Sequence, residues 1–223
     1  MLSAVYPAEA APDAAAEETG RRLFASPCRF VAGAADETAI PPDTLPEIAF
    51  AGRSNVGKSS LVNALTGQSA LARVSRTPGR TQQINFFDLS GKLMLVDLPG
   101  YGFAQAPKHA VARWTGLIER YVKGRASLMR VFLLLDARFG LKETDRPVLE
   151  FLDEAAVSFQ AVLTKADTLK PAELAEMLPA LAATLAKHPA AHPIIHITSA
   201  HDGSGIAALR AAVATLAAEQ RAR

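Results

Sequence analysis

The sequence predicts a three-layer α/β protein, in which helices cover both faces of a mostly parallel, six-stranded sheet with one antiparallel edge strand. Apolar runs alternate with amphipathic segments from residue 47 onward, which is the pattern of a doubly wound sheet. The run at 128–137 is continuously apolar, as in a central parallel strand buried on both faces. Two further runs, at 83–89 and 92–98, are separated only by Ser90 and Gly91, which indicates a hairpin and hence the antiparallel strand.

The remaining elements follow from periodicity and from the positions of proline. Apolar residues within 108–125 recur at spacings of three and four, which predicts a helix with one apolar face. Pro171 suits the first turn of a helix at 171–187, whereas Pro179 should kink or divide that helix. We predict further strands over 28–34, 47–52, 158–164 and 193–200, and further helices over 59–67, 143–155 and 205–223.

The N-terminal part of the chain lacks this alternation. Residues 1–22 are rich in Ala, Pro and acidic side chains, which predicts a disordered tail. Residues 23–46 form an N-terminal extension that ends in a Pro-rich connection, and residues 47–220 form the main domain.

Composition indicates the compartment. Cys28 is the single cysteine, so an intramolecular disulfide is excluded and a reducing compartment is favoured; we expect the thiol to pack as a small apolar group. No apolar run approaches the roughly 18 residues of a membrane span, and the N-terminus lacks the pattern of a signal peptide. We therefore expect a cytoplasmic monomer that binds neither membrane nor DNA.

The charge is unevenly distributed along the chain. Its net value is +2, but residues 73–142 hold 12 basic and 4 acidic side chains. A local excess of this size suits a polyanionic partner such as RNA. The alternative is a solvated surface that also holds a nucleotide.

The segment "GRSNVGKS" (52–59) carries the strongest motif. It fits Gly-x4-Gly-Lys-Ser and lies between a predicted strand and a predicted helix, which is the context of a phosphate-binding P-loop. Gly52 and Gly57 allow backbone N–H groups to close around phosphates at the helix N-terminus. Lys58 would contact the β and γ phosphates, and Ser59 would bind Mg²⁺.

Two later segments complete a nucleotide switch. Asp97 ends an apolar strand one hairpin after the P-loop and is placed to hold Mg²⁺ through water, and Gly100 would offer its N–H to the γ-phosphate. Residues 73–87 form a basic, Pro-Gly-containing segment that we expect to be mobile. Thr77 and Thr81 are both candidates for the second Mg²⁺ ligand.

The segment "TKAD" (164–167) identifies the base. Asp167 can accept hydrogen bonds from the N1–H and N2–H₂ groups of guanine, and adenine has neither donor. Lys165 would lie along the purine ring. Thr164 stands where the Asn-Lys-x-Asp pattern has asparagine, which leaves one loop-bracing hydrogen bond open. Backbone N–H groups of "TSA" (198–200) would point at guanine O6.

Together these residues resemble the EngB (YihA/YsxC) family of bacterial ribosome-biogenesis GTPases, of the TRAFAC class. The resemblance covers roughly residues 45–205 and depends on "GRSNVGKSS", "TPGRTQ", "DLPGYGFA", "TKAD" and "TSA". It implies a Ras-like G domain at 47–220, Mg²⁺-dependent GTP binding, a role in maturation of the large ribosomal subunit, and a need for the protein in septation. It also favours Thr81 as the switch ligand of Mg²⁺.

The motifs and the resemblance together give the expected site. The catalytic candidates are Asn55, Lys58, Thr81 and Gly100, and the metal ligands are Ser59 and Thr81. The expected nucleotide contacts are Gly52, Arg53, Ser54, Asn55, Val56, Gly57, Lys58, Ser59, Gly79, Arg80, Thr81, Gln82, Gln83, Asp97, Leu98, Pro99, Gly100, Thr164, Lys165, Ala166, Asp167, Thr198, Ser199 and Ala200.

Tyr101 follows Asp-x-Pro-Gly, where many GTPases have a glutamine that orients the attacking water. A phenol cannot donate and accept as an amide does, so we expect Tyr101 to pack or to contact a partner, and intrinsic hydrolysis to be slow. Asn55 resembles the asparagine that helps to hold K⁺ in potassium-activated GTPases.

Three hypotheses about function remain at this point. The first is a slow GTPase switch that binds precursors of the large ribosomal subunit, namely rRNA and ribosomal proteins. The second is a nucleotide-dependent cell-division scaffold with little turnover. The third, a P-loop ATPase, is disfavoured by Asp167.

Overall fold

The computed structural model describes residues 3–72, 83–101 and 108–221. Within them one mixed sheet has the strand order β1-β8-β7-β6-β3-β5-β4-β2, which confirms the predicted α/β class. The two outermost strands, β1 and β2, come from the N-terminal 34 residues, so the sheet has eight strands and not the predicted six. The strands are Val5–Tyr6 (β1), Cys28–Ala34 (β2), Glu47–Gly52 (β3), Ile84–Leu89 (β4), Leu93–Asp97 (β5), Leu128–Asp136 (β6), Phe159–Thr164 (β7) and Ile195–Ile197 (β8).

Helices cover both faces of this sheet. The helix that starts at Pro171 continues through Pro179 as one element, so of the two predicted effects of Pro179, division is wrong, and a kink stays a prediction. A 3₁₀ turn at Glu143–Asp145 replaces the first turn of the helix predicted at 143–155. The helices are Ala14–Phe24 (α1), Lys58–Thr66 (α2), Lys108–Gly124 (α3), Arg146–Glu154 (α4), Pro171–Leu185 (α5) and Ile206–Arg221 (α6).

The register of the sheet explains where a site can form. β3 pairs in parallel with β5 and β6, and β6, β7 and β8 continue the parallel order. Their carboxyl ends therefore lie along one edge, where ligands bind in open α/β sheets. β4 is antiparallel to β5, and both residues of the connecting turn, Ser90 and Gly91, have positive φ, as a tight hairpin turn requires.

The N-terminal residues are folded onto this domain, which corrects the prediction of a disordered tail at 1–22 for the described residues 3–22. β1 pairs with β8, and Asp13 caps α1 by accepting the N–H of Ala16 at 2.8 Å. At Gly20 a Cβ would come within 2.6 Å of the backbone of α6, so the two helices approach more closely than a side chain permits. Phe24 is buried at the end of α1. The apolar surface buried at these contacts offsets the loss of conformational entropy on folding, although the polar composition of the segment had suggested that it would not.

Two further features are the environment of Cys28 and the length of the apolar helices. Cys28 is buried in the core and makes no disulfide, as expected, and burial raises the pKa of its thiol to about 12. Among the described residues, no helix is long and apolar enough to cross a bilayer.

Candidate functional site

The carboxyl edge of the sheet brings the separate motifs together. The P-loop follows β3, Asp97 ends β5, Thr164 ends β7, and Thr198 follows β8. These residues are far apart in sequence, and the parallel register alone makes them neighbours.

The P-loop depends on two glycines for different reasons. Gly57 has φ 105°, a left-handed conformation that turns the chain into α2. At Gly52 a Cβ would lie 2.9 Å from the carbonyl oxygen of Leu134 on the neighbouring β6. Val56 is buried between them, and its carbonyl accepts a 2.6 Å hydrogen bond from the hydroxyl of Thr164. Thr164 thus braces the P-loop although it replaces the expected asparagine.

Lys58 and Asp97 form an ion pair beneath the P-loop, and both side chains are largely buried. Ser59 directly follows Lys58 in α2 and is half buried. A hydroxyl and a carboxylate are the oxygen ligands that Mg²⁺ prefers, so this donor set fits the expected ion. Mg²⁺ held there with GTP would supply positive charge that stabilises the phosphates during transfer.

The loop after β5 is attached directly to the P-loop. Ser54 N–H donates to the Tyr101 carbonyl at 3.1 Å, and Tyr101 N–H donates to the Gly52 carbonyl at 3.2 Å. Gly100 lies so close to Ser54 that a Cβ would be 2.9 Å from its Oγ. Leu98 and Pro99 are buried behind this contact. The residue predicted to sense the γ-phosphate therefore lies against the loop predicted to hold it.

A cavity of about 390 Å³ lies beside the P-loop and is lined by the segments predicted to bind the base. Gly57, Thr164, Lys165 and Asp167 form one side of it, and residues 198–201 form the other. The side chain of Asp167 is 25% exposed, and its Oδ2 lies 4.0 Å from Nδ1 of the exposed His201. Such a carboxylate can accept the two donors of a guanine edge.

The segment 198–200 is only partly arranged as predicted. Thr198 N–H donates to the Leu163 carbonyl at 2.7 Å, and Ser199 N–H donates to the Ser204 carbonyl at 3.0 Å. These two N–H groups are used within the protein and do not point at a base. Ala200 also lines the cavity, and its N–H is the one of the three for which the described contacts include no acceptor.

Asp136 is a site residue that the sequence interpretation missed. It ends β6, and its carboxylate accepts hydrogen bonds from Lys165 Nζ at 2.8 Å and from Arg138 Nη2 at 2.7 Å. Burial by itself raises the pKa of Asp136, but these two cations outweigh burial and hold it at about 2. Lys165 Nζ also donates to the Asn55 carbonyl at 2.7 Å. An aspartate that directly follows the apolar run 131–135 was the available signal.

The predicted switch lies mostly outside the described residues, which exclude Thr77, Gly79, Arg80, Thr81 and Gln82. Gln83 is described, and its amide donates to Asn85 Oδ1 at 3.1 Å while its side chain covers Gly33 of β2. Among the described contacts, none joins Gln83 to the P-loop.

Known proteins share both the sequence and the fold. The domain family described as 50S ribosome-binding GTPase matches residues 47–165. The EngB GTP-binding protein of Rhodospirillum rubrum is 58% identical over 209 residues, which are 92% of this chain and 90% of that protein. The EngB protein of Ruegeria pomeroyi is 53% identical over 216 residues, 97% of this chain and all of that protein (100%).

The chain belongs to the EngB family of GTP-binding proteins. A crystal structure of an EngB protein has a TM-score of 0.62 at 26% identity and covers 78% of this chain and 99% of its own. Era in complex with MgGDPNP and nucleotides of 16S ribosomal RNA has a TM-score of 0.61 at 20% identity, covers 77% of this chain and 56% of its own, and shows a shared fold only.

Membership of the family makes the protein a P-loop GTPase. Lys58 of the P-loop is paired with Asp97, and Asp167 lines the cavity beside the P-loop. Thr164 and Lys165 hydrogen-bond to carbonyls of the P-loop, and Lys165 also bonds to Asp136, so the segment 164–167 is joined directly to the P-loop.

Proposed function

We propose that this GTPase is a slow, Mg²⁺-dependent switch in assembly of the large ribosomal subunit in the cytoplasm. GTP and Mg²⁺ hold the two loops of residues 73–87 and 97–107 in the form that binds an assembling particle, and hydrolysis releases it. The description of the matched family as ribosome-binding supports this proposal. The requirement for septation that the resemblance implies is part of the same proposal.

The observation that carries this proposal is an exposed aromatic ring beside the P-loop. Phe139 is 54% exposed, with Lys142 Nζ 4.0 Å and Arg138 Cζ 5.1 Å from its ring centroid. A cavity of about 290 Å³ links this group to the P-loop residues Arg53 and Asn55. An exposed aromatic ring with two cations against it suits the unpaired bases and phosphates of RNA.

The test is co-sedimentation of the protein with large-subunit precursors, in the GDP form and in the form bound to a non-hydrolysable GTP analogue. We expect tighter binding with the analogue, and the substitution Phe139→Ala should weaken it by about tenfold, the loss of one stacked base. Equal affinity of the two nucleotide forms would refute the switch.

The chain offers a matched control for this experiment. Phe30 is 55% exposed but lies on the edge strand β2, where its ring contacts Phe87. Phe30→Ala removes a similar apolar surface at the other side of the sheet. It should leave ribosomal binding unchanged, and an equal loss with both variants would indicate non-specific apolar adhesion.

The proposal includes a potassium ion near Asn55. This residue has a positive φ of 62° and an exposed side chain, and its carbonyl is fixed by Lys165, so its amide can point to the phosphates. We expect GTP hydrolysis to be faster in K⁺ than in Na⁺, and Asn55→Ala should abolish that difference. An identical rate in both salts would exclude the ion from the mechanism.

A further inference from the structure

A third cavity lies at the end of the sheet away from the predicted nucleotide site. Its volume is about 290 Å³, and it opens between the N-terminal segment, α6 and the sheet. Arg130 and Gln160 contribute to it from the amino-terminal parts of β6 and β7, whereas the nucleotide residues follow the carboxyl ends of these strands. Val5 and Pro12 line its N-terminal wall, and small alanines of α6 line the opposite wall.

His196 is the first sign that this cavity holds a ligand. Its side chain is 2% exposed, lines the cavity, and has no hydrogen-bond partner at either ring nitrogen in the described structure. Burial lowers the pKa of His196 to about 3, so the ring is neutral near pH 7 and offers one donor and one acceptor. Leaving both nitrogens unpaired in a folded protein is costly.

Arg130 is the second sign. Its guanidinium donates to Gln160 Oε1 at 2.8 Å and to Ser158 Oγ at 3.3 Å, and the described residues give it no ion pair. Glu219, which also lines the cavity, acts on it electrostatically without an ion pair. His192 accepts the Ile194 N–H at Nδ1, which leaves Nε2 to carry a proton toward the cavity.

We propose that this cavity binds a small oxoanion, such as phosphate or a short carboxylate. The guanidinium of Arg130 and the N–H groups of His192 and His196 supply donors for the anionic oxygens. Arginine suits phosphate and carboxylate oxygens because its planar fork matches their spacing.

The test uses the full chain with GDP and Mg²⁺ present, so that added phosphate does not enter the P-loop. Imidazole nitrogen signals are followed by NMR at pH 7 during separate titrations with phosphate, acetate and chloride. We expect saturable shifts of His192 and His196 with phosphate or acetate, in the millimolar range of a small ligand. Chloride carries the charge without the paired oxygens that match a guanidinium and should bind more weakly. The signals of His188, whose Nδ1 is hydrogen-bonded to Asp153 Oδ2 at 2.6 Å, should not shift.

Two variants separate this site from general anion binding. Arg130→Gln should weaken binding by about tenfold or more, as expected for loss of a charged hydrogen-bond donor. Ala212→Leu adds bulk to the α6 wall while keeping Arg130, and should also block binding. Arg22→Gln, an exposed change on α1 outside the cavity, should have no effect.

Thermal unfolding of each variant identifies any that fail to fold, and Ala212→Leu tests the site if Arg130→Gln is unstable. Shifts that do not saturate, or that are equal in all variants, would mean that the cavity holds only water, and the proposal would be overturned.

Discussion

The hydroxyl of Tyr101 donates a 2.9 Å hydrogen bond to Oδ1 of Asp145, which joins the loop after β5 to the turn before α4. Asp145 is fully buried, its Oδ2 accepts the Lys142 N–H at 2.7 Å, and Arg53 Nε lies 3.4 Å from its Oδ1. Burial and the nearby carboxylate raise the pKa of Tyr101 well above its usual value, so the phenol remains a donor. Tyr101, which stands where many GTPases have a glutamine, is therefore held in place by a hydrogen bond within the protein.

Tyr101→Phe should lower the free energy of unfolding by about 1–3 kcal/mol, because a buried carboxylate loses one donor. GTP hydrolysis should remain near the rate of the unchanged protein, since the phenol is engaged by Asp145. Chemical unfolding and a phosphate-release assay measure the two effects. Loss of hydrolysis with intact GTP binding and stability would assign the phenol a catalytic role instead.

Asp167→Asn should weaken GDP binding by about 10- to 100-fold, because one amide oxygen replaces a carboxylate that accepts two donors. Competition by ATP against labelled GDP should become relatively stronger, since the discrimination against adenine depends on this carboxylate. Glu176→Gln is the control, as it removes an exposed carboxylate of α5 that does not line the cavity. Unchanged affinity in the Asp167 variant would place the base elsewhere.

Gly20→Ala should destabilise the protein by about 1–3 kcal/mol, because its new methyl group would meet the backbone of α6 at 2.6 Å. The same change should expose the N-terminal segment to limited proteolysis. Gly124→Ala, at a helical glycine with open space around it, is the matched control and should be neutral or slightly stabilising. Rapid cleavage before residue 23 in the unchanged protein would restore the prediction of a disordered tail.

Stability should depend on pH through His196, whose pKa is about 3 when folded and 6.5 in the reference state. Below pH 6.5 the unfolded chain binds a proton at His196 that the folded protein does not bind. The free energy of unfolding is therefore not lowered by His196 above pH 6.5. It falls as the pH decreases from 6.5 toward 3, with a slope of up to about 1.4 kcal/mol per pH unit.

Urea unfolding at several pH values measures this slope. His196→Phe should flatten it, although the carboxylates of the protein contribute their own dependence at the acidic end. Burial and the nearby Arg130 also lower the pKa of His192, so His192→Phe is the second comparison. An equal slope in both variants and the unchanged protein would show that the pKa of His196 is the same in the folded and the unfolded state.

Much of the fold was predictable because buried strands and amphipathic helices have distinct periods. The strands at 28–34, 47–52 and 128–136 were predicted within one residue, since continuous apolar runs between turn signals leave few alternatives. The P-loop was also predictable, because phosphate binding requires glycine and lysine at fixed spacing. The N-terminal helix was missed because its polar surface hides the few positions, such as Gly20 and Phe24, that contact α6.

The sequence by itself determined the chemistry of this protein, since the phosphate-binding loop, Asp97 and Asp167 are local patterns with a local physical meaning. Tertiary structure alone decided how these residues are held. The bonds of Tyr101 to Asp145, of Thr164 to the P-loop and of Lys165 to Asp136 join residues separated by 44, 108 and 29 positions. Only the pairing of parallel strands brings their ends together, and no local pattern encodes that distance.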